Sequence, residues 1–258
     1  MSSTNDISVL VLLMVVSFIL SYFGASVGLV LGNIRLPLLV YALGSSVNAT
    51  GTNLGISIMG ALAGSYFHMR EGRINVRLLL SIGIPSMMGA IFSVFALSHA
   101  RQDWAKILIG LMLIYSASQL TKPKESNLSN REWSLRYSLF REGAIGIAIG
   151  ALSGAVGLML SSIRLPAMIR VLNIDPKEAI GTNLAISFVT GLAGTLTSLW
   201  FSGTNLLIIA TVAPATLAGS YLGARFVAQI DPLKLRRLLA YTLMGTGCFM
   251  LVESIQNL

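Results

Sequence analysis

Apolar segments separated by short polar stretches make up most of this 258-residue chain. Most of the segments approach or exceed the ~20 residues that a helix needs to cross the hydrocarbon of a bilayer. They span residues 7–31, 36–44, 50–67, 76–98, 105–120, 143–160, 165–173, 179–201, 205–226 and 234–255. The pattern predicts an all-α polytopic membrane protein.

Two of these segments, 36–44 and 165–173, have only nine residues each. Both lie beside Gly and Pro, which interrupt regular helices. Because such a short helix cannot span the hydrocarbon, we interpret both segments as broken or re-entrant half-helices.

Composition agrees with a chain that has lipid as its solvent. Hydrophobic residues make up 54% of the chain and charged residues 11%, whereas a soluble domain carries about 25% charged residues. The first apolar segment has no basic leader and no clear cleavage site, so we expect a retained helix rather than a signal peptide. We also expect no soluble domain beside the membrane part.

The net charge of +8 could suggest a nucleic-acid partner. The basic residues lie in short loops without aromatic interleaving, however, which excludes a nucleic-acid interface and favours contact with anionic lipid headgroups. The sequence has no metal-ligand spacing and no phosphate-binding Gly-Lys-Ser/Thr motif. We therefore expect no cofactor and no metal ion.

Two tetrapeptides recur in the same order along the chain. Ile34-Arg35-Leu36-Pro37 returns at 163–166, an offset of 164 − 35 = 129, and Gly51-Thr52-Asn53-Leu54 returns at 181–184, an offset of 181 − 51 = 130. The repetition divides the chain into a first transmembrane repeat (1–120), a basic linker (121–142) and a second transmembrane repeat (143–258). The two repeats form one membrane domain.

Loop charge predicts how the two repeats are oriented. Residues 70–77 carry three arginines, while their counterparts at 201–205 carry no charge. The next pair of loops reverses this bias, with two basic residues in 99–106 and four in 225–237. Since positive loops stay in the cytoplasm, the repeats should be inverted relative to each other in the inner membrane. The linker should be cytoplasmic and both termini outside.

Arg35 and Arg164 are the strongest candidates for chemistry. An arginine within a transmembrane region costs ~2.5–3.5 kcal/mol or more, so it is usually paired, functional or snorkelled to the headgroups. Snorkelling from a helix end remains an alternative for both residues. A guanidinium group offers five donors in a fork that fits oxyanions.

The Gly-Thr-Asn triplets should open a helix in both repeats, with their N–H groups and side chains available to an anion. An ordinary N-cap or a tight glycine contact is the alternative. In an inverted pair, both helix tips would meet near the bilayer midplane. Pro37 and Pro166 should be structural residues that fix the start of the short helices. The predicted substrate-binding residues are Arg35, Gly51, Thr52, Asn53, Arg164, Gly181, Thr182 and Asn183.

The acidic residues indicate the sign of the substrate by their positions. None of the ten lies in the middle of a predicted helix, so a carboxylate proton relay and a counter-charge for a cation are both absent. The positions of the acidic residues therefore favour a small anion over a cation as the substrate. An intramembrane serine protease is a weaker alternative: Ser153 lies in Ala-Leu-Ser-Gly, but His68 and His99 lie at helix ends of the other repeat.

On these residues the chain resembles the TauE/SafE family of sulfite exporters and sulfonate permease-like membrane transporters. The resemblance rests on the duplicated Ile-Arg-Leu-Pro and Gly-Thr-Asn motifs and on Pro-Lys-Glu-Ala-Ile-Gly-Thr-Asn at 176–183, and it covers residues 7–255. It implies transport of sulfite, sulfoacetate or another organosulfonate, and we expect this sulfur oxyanion to be exported from the cell. A passive anion channel and a subunit that moves no anion remain alternatives. The first repeat departs from the fuller pattern at 45–50.

Overall fold

The computed structural model describes the helical framework of both repeats. Apart from isolated positions at 111–118 and 237–252, it describes residues 7–26, 28–97, 135–156, 160–172, 174–201 and 203–226. The helices are α1 (Ile7–Ser26), α2 (Gly32–Leu43), α3 (Ser46–Arg70), α4 (Val76–Leu97), α5 (Leu135–Val156), α6 (Ser161–Pro166, continued by a π-helix at Ala167–Val171), α7 (Pro176–Phe201) and α8 (Leu206–Phe226). This part of the chain contains no strand, which confirms the all-α class. The apolar segments 105–120 and 234–255 lie largely outside the described residues.

Four of the described helices are long and apolar enough to cross a membrane: α1, α4, α7 and α8. Their large apolar side chains point outward as well as inward. On α1, for example, Val11, Leu12 and Val15 are exposed, while Ser17 is completely buried. Apolar side chains outside and a hydroxyl inside suit a helix with one face in lipid.

The two short apolar segments lie in short helices. α2 has 12 residues and α6 with its π-helix has 11, from 161 to 171. At 1.5 Å per residue each is ~18 Å long, well short of the ~30 Å hydrocarbon. α2 ends at Gly44, which is left-handed with φ 62° and whose N–H donates to the Val40 carbonyl.

The prediction that two prolines start the short helices is wrong. Pro37 is the sixth residue of α2, and Pro166 is the last residue of α6, where the helix widens into the π-helix. Each helix begins earlier, at Gly32 and at Ser161. A proline in this position lacks the N–H that would bond one turn back, which weakens the regular helix around it.

The prediction that Gly-Thr-Asn opens a helix is also wrong. α3 begins at Ser46 and is capped by the Ser45 hydroxyl, which accepts a hydrogen bond from the Asn48 N–H. α7 begins at Pro176, after Asp175 accepts from the N–H groups of Lys177 and Glu178. The triplets therefore lie in the second turn, where backbone N–H groups already bond within the helix.

Helices of the two repeats pair with each other. α1 of the first repeat packs along α8 of the second, and α5 of the second packs along α4 of the first. Glycines make both contacts close: the Gly223 backbone touches the Tyr22 carbonyl, and the Gly150 backbone touches the Ser86 carbonyl. Small residues on one face of a membrane helix allow a neighbouring helix to approach this closely.

α5 begins further towards the N-terminus than the apolar pattern indicates. The helix starts at Leu135, eight residues before the apolar segment at 143. Its first two turns therefore belong to the basic stretch at 121–142. Glu142 is buried there and forms an ion pair with Arg77 of α4 at 3.3 Å.

Candidate functional site

Arg35 is the fourth residue of α2, and its side chain is buried, with only 2% of the residue exposed. Its Nε and Nη2 donate to Asn53 Oδ1 at 3.1 and 2.9 Å, and Nη2 also donates to the Asn53 carbonyl. Nη2 further donates to Ser57 Oγ at 2.7 Å, and Nη1 donates to Ser17 Oγ at 3.3 Å. Neutral oxygens of α1 and α3 therefore hold this guanidinium.

Arg164 on α6 has the same surroundings in the second repeat. It is 1% exposed, and its Nε donates to Asn183 Oδ1 at 2.7 Å. Its Nη2 donates to the Asn183 carbonyl and to Ser187 Oγ of α7. Burial to this degree excludes the alternative that either arginine snorkels to the headgroups.

Asn183 also joins the two repeats. Its Nδ2 donates at 3.1 Å both to the Gly28 carbonyl in the first repeat and to the Ser161 carbonyl in the second. The Ser161 hydroxyl in turn accepts from the Val30 N–H at 2.8 Å. The non-helical stretch before α2 thus contacts the start of α6, next to Arg164.

The threonines of the triplets lie away from the arginines. Thr52 Oγ1 accepts from the Asn205 N–H at 2.9 Å, and Thr182 Oγ1 accepts from the Asn75 N–H at 2.9 Å. Asn75 caps α4 of the first repeat and Asn205 caps α8 of the second, each through Oδ1. Each threonine therefore holds a helix start in the opposite repeat, and we call this matched pair of bonds the crossed caps.

The glycines of the triplets also lie against residues of the opposite repeat. Gly51 adjoins Ser198 and Thr204, while Gly181 adjoins the Arg73 carbonyl and His68. Of the eight residues predicted to bind substrate, the structure places Arg35 with Asn53 and Arg164 with Asn183. It places Gly51, Thr52, Gly181 and Thr182 at the contacts between the repeats.

Neither buried arginine has a carboxylate partner among the described residues. The ion pairs formed there join Arg73 to Glu71 and Arg77 to Glu142, at the ends of helices. Withdrawing a cation from water costs several kcal/mol, which neutral oxygens offset only in part. Arg35 and Arg164 are therefore buried cations that no carboxylate of the described residues neutralises.

A narrow pocket adjoins Arg35 and has room for about one water molecule. Its polar lining consists of Arg35, Ser21, Ser57, Thr216 and Ser220, and its apolar lining includes Leu20, Leu29, Val30 and Leu31. The serines of this lining were not predicted from the sequence as site residues. Ser57 and its counterpart Ser187 do have a sequence signal, since they follow Asn53 and Asn183 by four residues, one helical turn.

A protease site is not assembled in the part of the chain that the structure describes. Ser153 is buried on α5, while His68 lies in the last turn of α3. Neither ring nitrogen of His68 has a hydrogen-bond partner there, so this histidine does not activate Ser153. His99 lies outside the described residues. The described residues also contain no cluster of side chains that could hold a metal ion.

The long helices expose apolar side chains, and the arginines Arg35 and Arg164 are buried between helices. This arrangement is that of a multi-pass helical membrane protein. The model of the family "Sulfite exporter TauE/SafE" matches residues 11–250, and the chain belongs to this family. It is a membrane transporter.

Curated relatives carry the same general description. The chain is similar to the probable membrane transporter protein YdhB of Bacillus subtilis, 26% identical over 79% of this chain and 84% of the relative. It is also similar to the probable membrane transporter protein YunE of the same organism, 24% identical over 95% and 98% of the two chains. A probable membrane transporter protein of Methanocaldococcus jannaschii is 24% identical over 93% and 95%. No solved structure matches the chain.

The crossed caps predict a specific loss of stability. Thr182→Val keeps the side-chain shape but leaves the Asn75 N–H without its acceptor, which should lower the free energy of unfolding by about 1–2 kcal/mol. Thr197→Val is the matched control, because the Thr197 hydroxyl bonds only within α7, to the Ala193 carbonyl. Thermal unfolding in detergent should show the larger decrease in Tm for Thr182→Val. Equal decreases would contradict a stabilising contact between the repeats.

Proposed function

We propose that the protein is a secondary transporter that exports a small sulfur-containing oxyanion, either sulfite or an organosulfonate such as sulfoacetate. The observation that carries the proposal is the pair of buried guanidinium groups without carboxylate partners in the described residues. An anion that neutralises such a group recovers part of the cost of burying it. The sulfite-exporter family supports sulfur as the central atom of the substrate.

Arg35 and Arg164 would attract the anion and bind it. Each has N–H groups left over: Nη1 of Arg35 makes a single bond of 3.3 Å, and Nη1 of Arg164 donates no hydrogen bond to a described residue. Asn53 and Asn183 would hold the two guanidinium groups in place rather than bind substrate through backbone N–H groups. Gly51, Thr52, Gly181 and Thr182 would act at the joint between the repeats.

Alternating access of two inverted repeats is our proposal for the transport cycle. The crossed caps support it, because equivalent residues exchange equivalent bonds, as in a pair of repeats related by two-fold symmetry. Loop charge supports the inverted orientation, with residues 121–142 in the cytoplasm and both termini outside the inner membrane. Rocking of one repeat against the other would then expose the arginines to alternate sides.

Sulfite flux into liposomes that contain the purified protein tests this function. A carrier that alternates between two states should show saturable flux, and unlabelled sulfite on the far side should accelerate exchange. Empty liposomes are the control. Flux that rises in proportion to concentration without saturation would instead indicate a passive anion channel, and the absence of flux for every sulfur oxyanion would overturn the proposal.

A further inference from the structure

We propose that His68 is a proton-binding switch in the contact between the two repeats, and that protonation of its imidazole ring opens this contact. Such a switch governs how the repeats separate and not which substrate they carry, so it goes beyond the proposed function. The burial of the ring, its surroundings and the residue at the matching position of the other repeat support the proposal.

His68 lies where the first repeat meets α7 of the second, in the last turn of α3. Its Cβ is 3.0 Å from the position that a Cβ on Gly181 would take. The next residue of α7, Thr182, accepts the Asn75 N–H bond of the crossed caps. We call the contact of residues 68–75 with α7 the His68 joint.

The imidazole ring is buried in this joint without a hydrogen-bond partner. His68 is 3% exposed, and neither Nδ1 nor Nε2 forms a hydrogen bond within the described part of the chain. A neutral ring leaves one donor and one acceptor unpaired, whereas an imidazolium would bury a full charge and two unpaired donors. Protonation is therefore favourable only when the joint opens and water reaches the ring.

The charges around the joint do not offset this cost. Burial first, and the Arg73 guanidinium second, lower the pKa of His68 to about 4, and Glu71 opposes them only in part. No carboxylate of the surrounding elements bonds to a ring nitrogen. The other charged side chains on α3, on α4 with its partner α5, on α7 and at the end of α8 are Arg70, Arg77, Glu142, Asp175, Lys177, Glu178 and Arg225.

The matching joint of the other repeat has no group that titrates near neutral pH. Ser198 stands at the position of His68 (198 − 68 = 130) and adjoins Gly51 of α3. Its hydroxyl accepts a hydrogen bond from Thr204 Oγ1 at 3.2 Å. Residues 198–205 contain no histidine and no charged residue. We call their contact with α3 the Ser198 joint. Protons therefore act on one joint and not on the other.

The strength of the His68 joint should depend on pH within a defined range. When the joint opens, the ring is hydrated and its pKa returns to the ordinary value of about 6.5. Because the closed joint holds the neutral ring, its stability is complete above this value and falls as the pH drops from about 6.5 towards about 4. Between about pH 7.5 and about pH 5 the equilibrium constant for opening should rise roughly 30-fold.

The transport cycle would respond to pH from one side, a consequence that rests on the proposed function. Loop charge places residues 70–77 in the cytoplasm, so the His68 joint closes the cytoplasmic side. Acidification there would increase the population of the state that is open to the cytoplasm, while the Ser198 joint would keep its strength.

Hydrogen exchange of the full-length protein in detergent tests the switch, because the N–H groups of Asn75 and Asn205 report the two joints separately. After correction for the intrinsic effect of pH on exchange, the protection of Asn75 should fall roughly 30-fold from about pH 7.5 to about pH 5. The protection of Asn205 should stay the same. An equal loss at both positions would show general loosening and would overturn the proposal, and so would unchanged protection of Asn75.

Two histidine substitutions assign the pH response to one residue. His68→Phe keeps an aromatic ring but cannot be protonated, so the response at Asn75 should disappear. His99→Phe removes the only other histidine of the chain and is the matched control, which should keep the response. If His68→Phe does not yield folded protein, His68→Gln, which is neutral at both pH values, takes its place. A full response in the His68 variant, or its loss in the His99 variant, would contradict the proposal.

These measurements fail or succeed independently of transport. If the protection of Asn75 follows pH as expected while liposomes show no flux of any sulfur oxyanion, the switch stands and the proposed function fails. If sulfite flux is saturable but the protection of Asn75 does not change with pH, the switch alone fails.

Discussion

Arg35→Gln is expected to lower sulfite flux in liposomes by at least about 30-fold, the equivalent of roughly 2 kcal/mol or more for a buried charge pair that is lost. Glutamine can still donate to Asn53 Oδ1 but carries no charge for the anion. Arg164→Gln should act in the same direction. Arg70→Gln is the matched control, because Arg70 is an exposed arginine at the end of α3.

The same variant separates a substrate-binding arginine from a structural one. Because Arg35 has no carboxylate partner among the described residues, removing its charge relieves a desolvation cost. The Ser17, Ser57 and Asn53 oxygens lose donors at the same time, so the two effects oppose each other and the change in Tm should be small. A purely structural arginine would behave in the opposite way, with a lower Tm and near-normal flux in the protein that remains folded. That combination of results would contradict our assignment.

Gly150→Ala is expected to destabilise the protein strongly. A Cβ at this position would overlap the backbone of Ser86, so α4 and α5 would have to separate. Overpacking costs typically 1–3 kcal/mol, and a backbone atom cannot rotate away as a side chain can. We expect a Tm many degrees lower and a large loss of monodisperse protein in size-exclusion chromatography.

Gly143→Ala on the same helix provides the control for this prediction. Its Cβ would meet only Pro85 Cγ, at 4.0 Å, which is ordinary van der Waals contact. Alanine has a higher helix propensity than glycine by up to about 1 kcal/mol, so this variant should be neutral or slightly stabilised. Similar Tm values for the two variants would show that the close contact between α4 and α5 is not important for stability.

Much of the fold could be predicted because hydrophobic periodicity and length decide where membrane helices form. The apolar segments at 76–98 and 205–226 match α4 and α8 to within one residue at each end. The duplicated motifs also identified both buried arginines and the asparagines that bind them. These features are local, or they repeat, and a single sequence displays both kinds.

The features that were missed depend on contacts between distant residues. Thr52 was expected to bind substrate because nothing in the chain indicates that the N–H of Asn205, 153 residues later, is its partner. The helix starts were misplaced for a different reason. Polar residues such as Ser46 and Asn48 do not continue the apolar pattern, although they form the first turn of α3.

The exchange of partners between the repeats has a consequence for biosynthesis. During translation, α1 is synthesised about 200 residues before α8. The glycine-lined surface of α8 against which α1 packs does not exist until then. Asn75 likewise has no acceptor for its N–H until Thr182 has been made. The first repeat therefore enters the bilayer as an unfinished set of helices, and the final structure forms only when nearly the whole chain has left the ribosome. Premature termination anywhere before α8 should thus leave no folded intermediate, only a substrate for membrane proteases.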